Sequence, residues 1–439
     1  IVWDFWGGGG KFMARPLPTT KAQVSGHKFL RRRVEHGLVL GDTRMIHDPL
    51  ARRRKAMIFG GVGVAFLAVG SGLLAWLQPS PQPGDAPIVR SEQGQLFVDV
   101  NDTYHPVHNL SSARIIAGEA AEAQTIGDEH LREASLGTPV GISDAPGYLA
   151  APGETPQRSW AACLAGHDEQ PADNPTSIDG QQVAQEEVIV VADPPQEGFG
   201  EERAALAETD GVQWLLTADG RVRLPDAQST EGRVIRRGIG IDGSTHSWPV
   251  PAELLNAFAE QPPLTFPDPL PDIMDTGQGQ WAQTDDGVAE LSATQADMLV
   301  SYGATRKEAS PQEVGALADA PLNFRLPATT FDFVGPDEGW MCADSDGGAA
   351  LVTENPGTVA LAGEGIADRF GGLSAGGVGV DTGHGYHVVS PTGQRHAVDN
   401  KELLEALGTG IGAEVPWEII RLLPEASRLD RDEALQVSP

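Results

Sequence analysis

Ala56-Met-Ile-Phe-Gly-Gly-Val-Gly-Val-Ala-Phe-Leu-Ala-Val-Gly-Ser-Gly-Leu-Leu-Ala-Trp-Leu77 is a run of 22 residues without a charge. At 1.5 Å per residue a helix of this length reaches about 33 Å, enough to cross a hydrocarbon core of about 30 Å. A helix satisfies its own backbone hydrogen bonds, as lipid requires. The five glycines after Phe59 would weaken a helix in water, yet glycine is common in membrane spans, and Trp76 stands where an indole favours the interface. A buried core helix would be shorter and would lack the charged flank. A cleaved signal peptide is the other alternative, with small-x-small triplets at Ala68-Val-Gly70 and Gly70-Ser-Gly72, but more than 50 residues precede the run.

Charge orients the span. From Met13 to Lys55 there are 11 Lys/Arg against 3 Asp/Glu, ending in Arg52, Arg53, Arg54 and Lys55; the next basic residue after the run is Arg90. The positive-inside rule then puts the N-terminus in the cytoplasm and the C-terminal bulk outside. Of 31 Lys/Arg and 61 Asp/Glu, 19 and 57 lie beyond the run, a net charge of −38 there. Such a surface repels nucleic acid and anionic lipid, although a saline habitat would select the same excess. The two cysteines, Cys163 and Cys342, both lie on this side, where a disulfide is the default; the alternative is two unrelated free thiols.

Upstream, Leu30, Val34 and Leu38 recur at i, i+4, i+8 amid Lys28, Phe29, Arg31, Arg32 and Arg33, the pattern of a basic amphipathic helix. It suits a helix lying on the anionic inner leaflet or docking on another membrane subunit. Residues 1–12 read as a non-native leader, because a Gly-Gly pair before Met13 can be a translated ribosome-binding site. The expected layout is a basic cytoplasmic segment 13–55, a transmembrane helix 56–77, a Pro-rich linker 78–87 and an extracytoplasmic domain 88–439.

In that domain a unit of strand, tight turn, second strand and short helix recurs. The turns are Asn101-Asp102, Asp219-Gly220, Asp286-Gly287 and Thr392-Gly393, good hairpin signals between alternating strands. Four repeats are expected, near 90–135, 211–268, 278–322 and 378–430. The helix of the second is read at Val250 to Phe258. Between the repeats, Ser159 to Cys163, Glu187 to Ala192, Gly339 to Cys342 and Ala349 to Thr353 read as strands of a core near 157–200 and 330–375. Asp168 to Ser177 and Gly363 to Gly379 read as loops. The fold class is therefore α+β: one N-terminal transmembrane helix and a β-rich domain of four small hairpin/helix repeats around a discontinuous core stapled by Cys163 and Cys342.

Nothing in the sequence argues independently for catalysis. There is no GxxxxGK[ST] loop. Gly238-Ile-Gly240-Ile-Asp-Gly243 fits G-x-G-x-x-G but is followed by Ser-Thr-His-Ser-Trp-Pro, where a dinucleotide site needs a helix N-terminus. Gly372-Leu-Ser374-Ala-Gly376 fits a nucleophile elbow but is glycine-rich on both sides. The outer histidines make no metal-ligand spacing, so no cofactor, metal or catalytic residue is expected.

Pro18-Thr-Thr-Lys-Ala-Gln-Val-Ser-Gly-His-Lys-Phe-Leu-Arg-Arg-Arg-Val-Glu-His36, then Asp42-Thr-Arg-Met-Ile-His-Asp-Pro-Leu50 and a single span, resembles the EccB family of actinobacterial type VII (ESX) secretion systems. His105-Pro-Val107 and Asn109-Leu-Ser-Ser-Ala-Arg-Ile-Ile-Ala-Gly118 fit as well; the match is dense over 18–118 and loose beyond. The resemblance implies a self-associating inner-membrane subunit that assembles with the EccC motor ATPase, EccD and EccE to export helical-hairpin effectors. Some members are described as ATPases, but no phosphate-binding motif here carries that over. A cell-wall-binding membrane anchor and an extracytoplasmic ATPase are the rival functions.

Overall fold

The computed structural model describes residues 20–41, 49–77, 84–150, 159–165 and 186–437. The expected leader, most of the Asp42–Leu50 motif, the Pro-rich residues 78–83 and the Asp168–Ser177 loop lie outside them. The chain divides into two units, Ile1–Ser80 and Pro81–Pro439.

The first unit is helical, with helices at Lys21–Leu40 and Pro49–Leu77. Thr20 caps the first through a capping box with Gln23, and Gly41, at φ 69°, ends it in the left-handed conformation. The second begins seven residues before the uncharged run, so the basic cluster is part of the helix.

The second unit is mixed α and β and carries four small sheets and one large one. Each small sheet starts with three antiparallel strands. In the first these are Ile88–Ser91, Leu96–Asp99 and Thr103–Val107. In the second they are Arg203–Thr209, Val212–Thr217 and Gly220–Arg223. The third has Asp272–Asp275, Gln280–Thr284 and Gly287–Leu291, and the fourth Val378–Asp381, Tyr386–Val389 and Arg395–Val398. A helix follows each: Leu110–Ala117, Thr230–Ile239, Ala293–Tyr302 and Lys401–Leu407. All four helices start on a side-chain cap (Asn109, Ser229, Ser292, Asn400) and stop at a glycine (Gly118, Gly240, Gly303, Gly408). The chain then returns as a short strand parallel to the first of the three.

Two readings are corrected here. The helix of the second sheet is Thr230–Ile239, not Val250 to Phe258, where only Ala252–Leu255 is helical. The Gly363–Gly379 stretch is not a loop: Arg369–Gly371 is an interior strand of the large sheet, and the fourth small sheet starts at Val378. Its glycines serve close packing. A Cβ on Gly372 would sit 1.8 Å from the Ala192 carbonyl oxygen, so the composition that suggests flexibility reflects backbone contact.

The large sheet has the order Thr358–Ala360, Arg369–Gly371, Val188–Ala192, Trp160–Leu164, Trp340–Ala343, Ala349–Val352, Gln196–Gly198. Residues of Val188–Ala192, Trp160–Leu164, Trp340–Ala343 and Ala349–Val352 are buried on both faces, which explains their unbroken apolar runs. Val190, Trp160 and Leu351 join a cluster with the second and fourth small sheets through Leu254, Phe258, Ile419 and Leu422. The first and fourth sheets share another core, around Ile115, Val388 and Leu404. The second and third share a third core, where the Thr230–Ile239 and Ala293–Tyr302 helices meet and Gly238 lies against Met298.

Candidate functional site

The helices of the first unit expose their apolar side chains. On the first, Lys28, Phe29, Leu30, Arg31, Arg32, Arg33, Val34 and Leu38 are all exposed, Leu38 to 82%. Leu30, Val34 and Leu38 share one face, whereas Phe29 lies on a different side of the wheel, so the apolar stripe is less continuous than its spacing suggests. Arg31 donates to Glu35 at 3.0 Å, an i,i+4 pair. On the second helix, Arg53–Leu74 meets the length and composition of a membrane span, with mean hydropathy 2.0 and no residue of its most apolar stretch buried. Phe59, Phe66 and Leu67 are about three-quarters exposed, a surface that water penalises and lipid accepts. Arg53, Arg54 and Lys55 are exposed at its start; the Arg52 side chain is outside the described residues. A helix dipole gives cations no support near an N-terminus, so helix stability does not account for their position.

In the second unit, Cys163 and Cys342 stand directly opposite each other on adjacent antiparallel strands and are bonded, across a separation of 179 residues. Both are fully buried, so the bond is a staple rather than an accessible redox group. A tryptophan precedes each cysteine, but the spacings differ by one residue, and strand alternation sends the two indoles to opposite faces. Trp340 packs in the small cluster around the disulfide, whereas Trp160 faces the main core beside Phe370, at 6.1 Å between ring centroids.

Other anchoring residues escaped the sequence reading. Arg221 opens the third strand region of the second sheet and donates to the Leu255 carbonyl at 2.9 Å and to Glu260 at 3.0 Å, with its guanidinium 5.1 Å from the Trp214 ring centroid. Arg395 does the same in the fourth sheet: Leu423 carbonyl at 3.0 Å, Glu425 at 2.8 Å, and the Trp417 ring at 5.1 Å. Arg221 thereby holds the carbonyl end of the four-residue helix Ala252–Leu255 onto its sheet, and Arg395 holds the turn that follows the four-residue helix Trp417–Ile420. Val288 takes the matching bridge position in the third sheet. The only sequence signal was a basic residue just after the hairpin turn. Trp417 also stacks on His387; burial, joined by Arg395, pushes that imidazole below its ordinary pKa.

The catalytic look-alikes find no supporting geometry. Gly238 and Gly240 lie at the end of the Thr230–Ile239 helix, with Gly240 as its C-cap. The carbonyl end of a helix presents negative charge, the wrong pole for a pyrophosphate. Gly372 to Gly376 joins two strands, with no helix after Ser374. A cavity of about 570 Å³ beside the second sheet is lined by Leu215, Leu264, Phe324 and Phe331, with Glu201, Asp219 and Arg325 also lining it, and holds no histidine, cysteine, serine or lysine. Among the described residues no three His, Cys, Asp or Glu side chains group to hold a metal.

Comparison with known proteins fits this architecture. A family model described as "Type VII secretion system ESX-1, transport TM domain B" matches residues 17–283. The protein named ESX-1 secretion system ATPase EccB1, of Mycobacterium tuberculosis H37Rv, is 27% identical over 95% of this chain and 94% of its own length. Among solved structures, a chain of an intact ESX-5 inner membrane complex superposes with a TM-score of 0.61 at 22% identity, covering 99% of this chain and 97% of its own. A chain of an EccB3 dimer from the ESX-3 core complex superposes with a TM-score of 0.64 at 22% identity, covering 80% of this chain and all of that one.

Proposed function

This chain belongs to the EccB family of type VII (ESX) secretion systems, and from that premise we propose that it is a structural subunit of an ESX inner-membrane complex. Its span anchors an outer domain that builds the periplasm-side assembly through which helical-hairpin effectors leave. The observation that carries this reading is the pairing of a bare apolar helix with a self-contained outer body in one chain. The cations ahead of the span support a cytoplasmic N-terminus. The exposed face of Lys21–Leu40, from Lys28 to Leu38, is the segment for inner-leaflet or subunit contact, with the EccC motor ATPase, EccD and EccE as partners. Self-association of the outer domain is expected, as a relative forms the EccB3 dimer.

The shared plan of meander, capped helix and parallel return supports reading the four small sheets as four copies of one repeat around the disulfide-linked core. The small sheets pack on one another and on the large sheet through shared apolar cores, an arrangement that suits a scaffold.

The test is co-purification of the tagged full-length chain in mild detergent from cells that contain the other ESX subunits. The motor ATPase and companion membrane subunits should elute with it; a chain that elutes alone while they are present contradicts the proposal. The name carried by the EccB1 relative favours a second reading, nucleotide hydrolysis in the outer domain. Phosphate release above a heat-inactivated control would support that reading, and its absence would leave the scaffold role alone.

A further inference from the structure

The outer domain begins and ends at the same place. Its first sheet, the one the chain enters from the span, packs on its fourth through a shared core. Several polar ties cross that contact, including the Ala150 N–H to the Gly377 carbonyl at 2.9 Å. Arg114 donates to the Leu407 carbonyl at 2.8 Å, Val140 bridges Val437, and the Ser427 N–H donates to Asp144 at 3.0 Å. The last tie leads to a buried titratable group. Ser427 also offers its carbonyl to Nδ1 of His396 at 2.9 Å, and His396 has no exposed surface. A carbonyl only accepts, so Nδ1 carries the proton and Nε2 is the bare nitrogen. Nε2 has no partner among the described residues.

We infer that His396 is the trigger of an acid-opened joint: protonation at Nε2 drives its ring from the buried site, frees Ser427, and releases the first sheet from the fourth. The new N–H would have no acceptor among the described residues, and a buried cation without a hydrogen-bond partner is strongly disfavoured. The charged group facing it from the first-sheet side is Asp144, already engaged by Ser427. On its own strand Arg395 is paired with Glu425, beyond it Asp399 is paired with Arg428, and the neighbouring strand carries His387. Burial outweighs the attraction of Asp144 and holds the His396 pKa below the ordinary imidazole value. The closed joint is therefore favoured at neutral pH, and its stability falls as pH drops through the ordinary imidazole range toward the folded-state value.

Hydrogen–deuterium exchange on the full-length chain in detergent tests this, with rates corrected for the intrinsic pH dependence of exchange. Between about pH 7.5 and about pH 5, protection of residues 110–117 and 424–437 should fall by about tenfold or more, while strands 160–164 and 340–343 keep theirs. His396→Gln should abolish most of that fall, and His387→Gln should leave it intact. Equal protection at both pH values, or a fall removed by His387→Gln instead, overturns the proposal. Should His396→Gln be open already at neutral pH, the His396 ring resonance in the wild-type chain decides. Titration together with the loss of protection supports the joint, and a ring that stays neutral while protection falls refutes it.

Discussion

The two units of this chain solve opposite solvation problems. In the second unit large apolar side chains such as Trp160, Trp248 and Phe370 are fully buried, whereas in the Pro49–Leu77 helix Phe59, Phe66 and Leu67 stand in the open. The first arrangement is stable because apolar area has left water. The second makes sense only if the solvent is itself apolar. One sequence therefore specifies two solvents, and the change from one to the other falls just after Leu77, where the apolar helix ends.

Substitutions that separate the units sharpen this contrast. The largest effect is expected from Trp160→Ala, which opens a cavity in the central core. It should cost about 3–5 kcal/mol in denaturant unfolding of the outer domain and leave membrane insertion unchanged. Cys163→Ser should cost about 2–5 kcal/mol in the same assay, through release of the 179-residue staple. A loss under about 1 kcal/mol would mean that the sheet holds its register without the bond. Leu67→Arg should act in the opposite place. It should disfavour insertion by about 3 kcal/mol, read as the fraction of chain extracted by carbonate, with unchanged outer-domain unfolding. Arg395→Ala removes the clamp on the turn that follows Trp417–Ile420 and should cost about 2 kcal/mol, without reaching the first unit. The smallest is Arg31→Ala, since exposed i,i+4 pairs contribute only about 0.3–0.5 kcal/mol. Helix content should hardly change, so any loss of partner subunits on co-purification would report docking rather than folding.

The parts of the fold legible in the sequence are those with a local physical signal. The span follows from 22 uncharged residues and its basic flank, and the hairpins from Asp-Gly, Asn-Asp and Thr-Gly turns. At Asn101 and Asp102 both φ values are near +60°, the left-handed pair that a two-residue hairpin turn needs. The short helices expected in the first, third and fourth repeats stand at Leu110–Ala117, Ala293–Tyr302 and Lys401–Leu407, each begun by a side-chain cap. The opening strand of the first three small sheets went unread, and that of the fourth began inside a presumed loop. Ile88–Ser91 and Asp272–Asp275 have four residues each, and Val378–Asp381 includes a glycine; none shows alternation long enough to register. Their strand character comes from pairing on both sides, which is tertiary information. The Thr230–Ile239 helix was hidden for a different reason. Glycines at 232 and 238 lower its intrinsic helix propensity, but Gly238 lets Met298 approach and Gly232 lies against the Asp226 carbonyl. The Arg221 and Arg395 clamps depend on partners some 30 to 40 residues away, and no local pattern encodes that distance.

Protease treatment of sealed spheroplasts, followed by antibodies to each end of the chain, tests most directly whether the two units face different compartments. Epitopes beyond residue 88 should be lost while an epitope within 20–41 survives until the membrane is breached. Survival of the acidic bulk together with loss of the N-terminal epitope would contradict it.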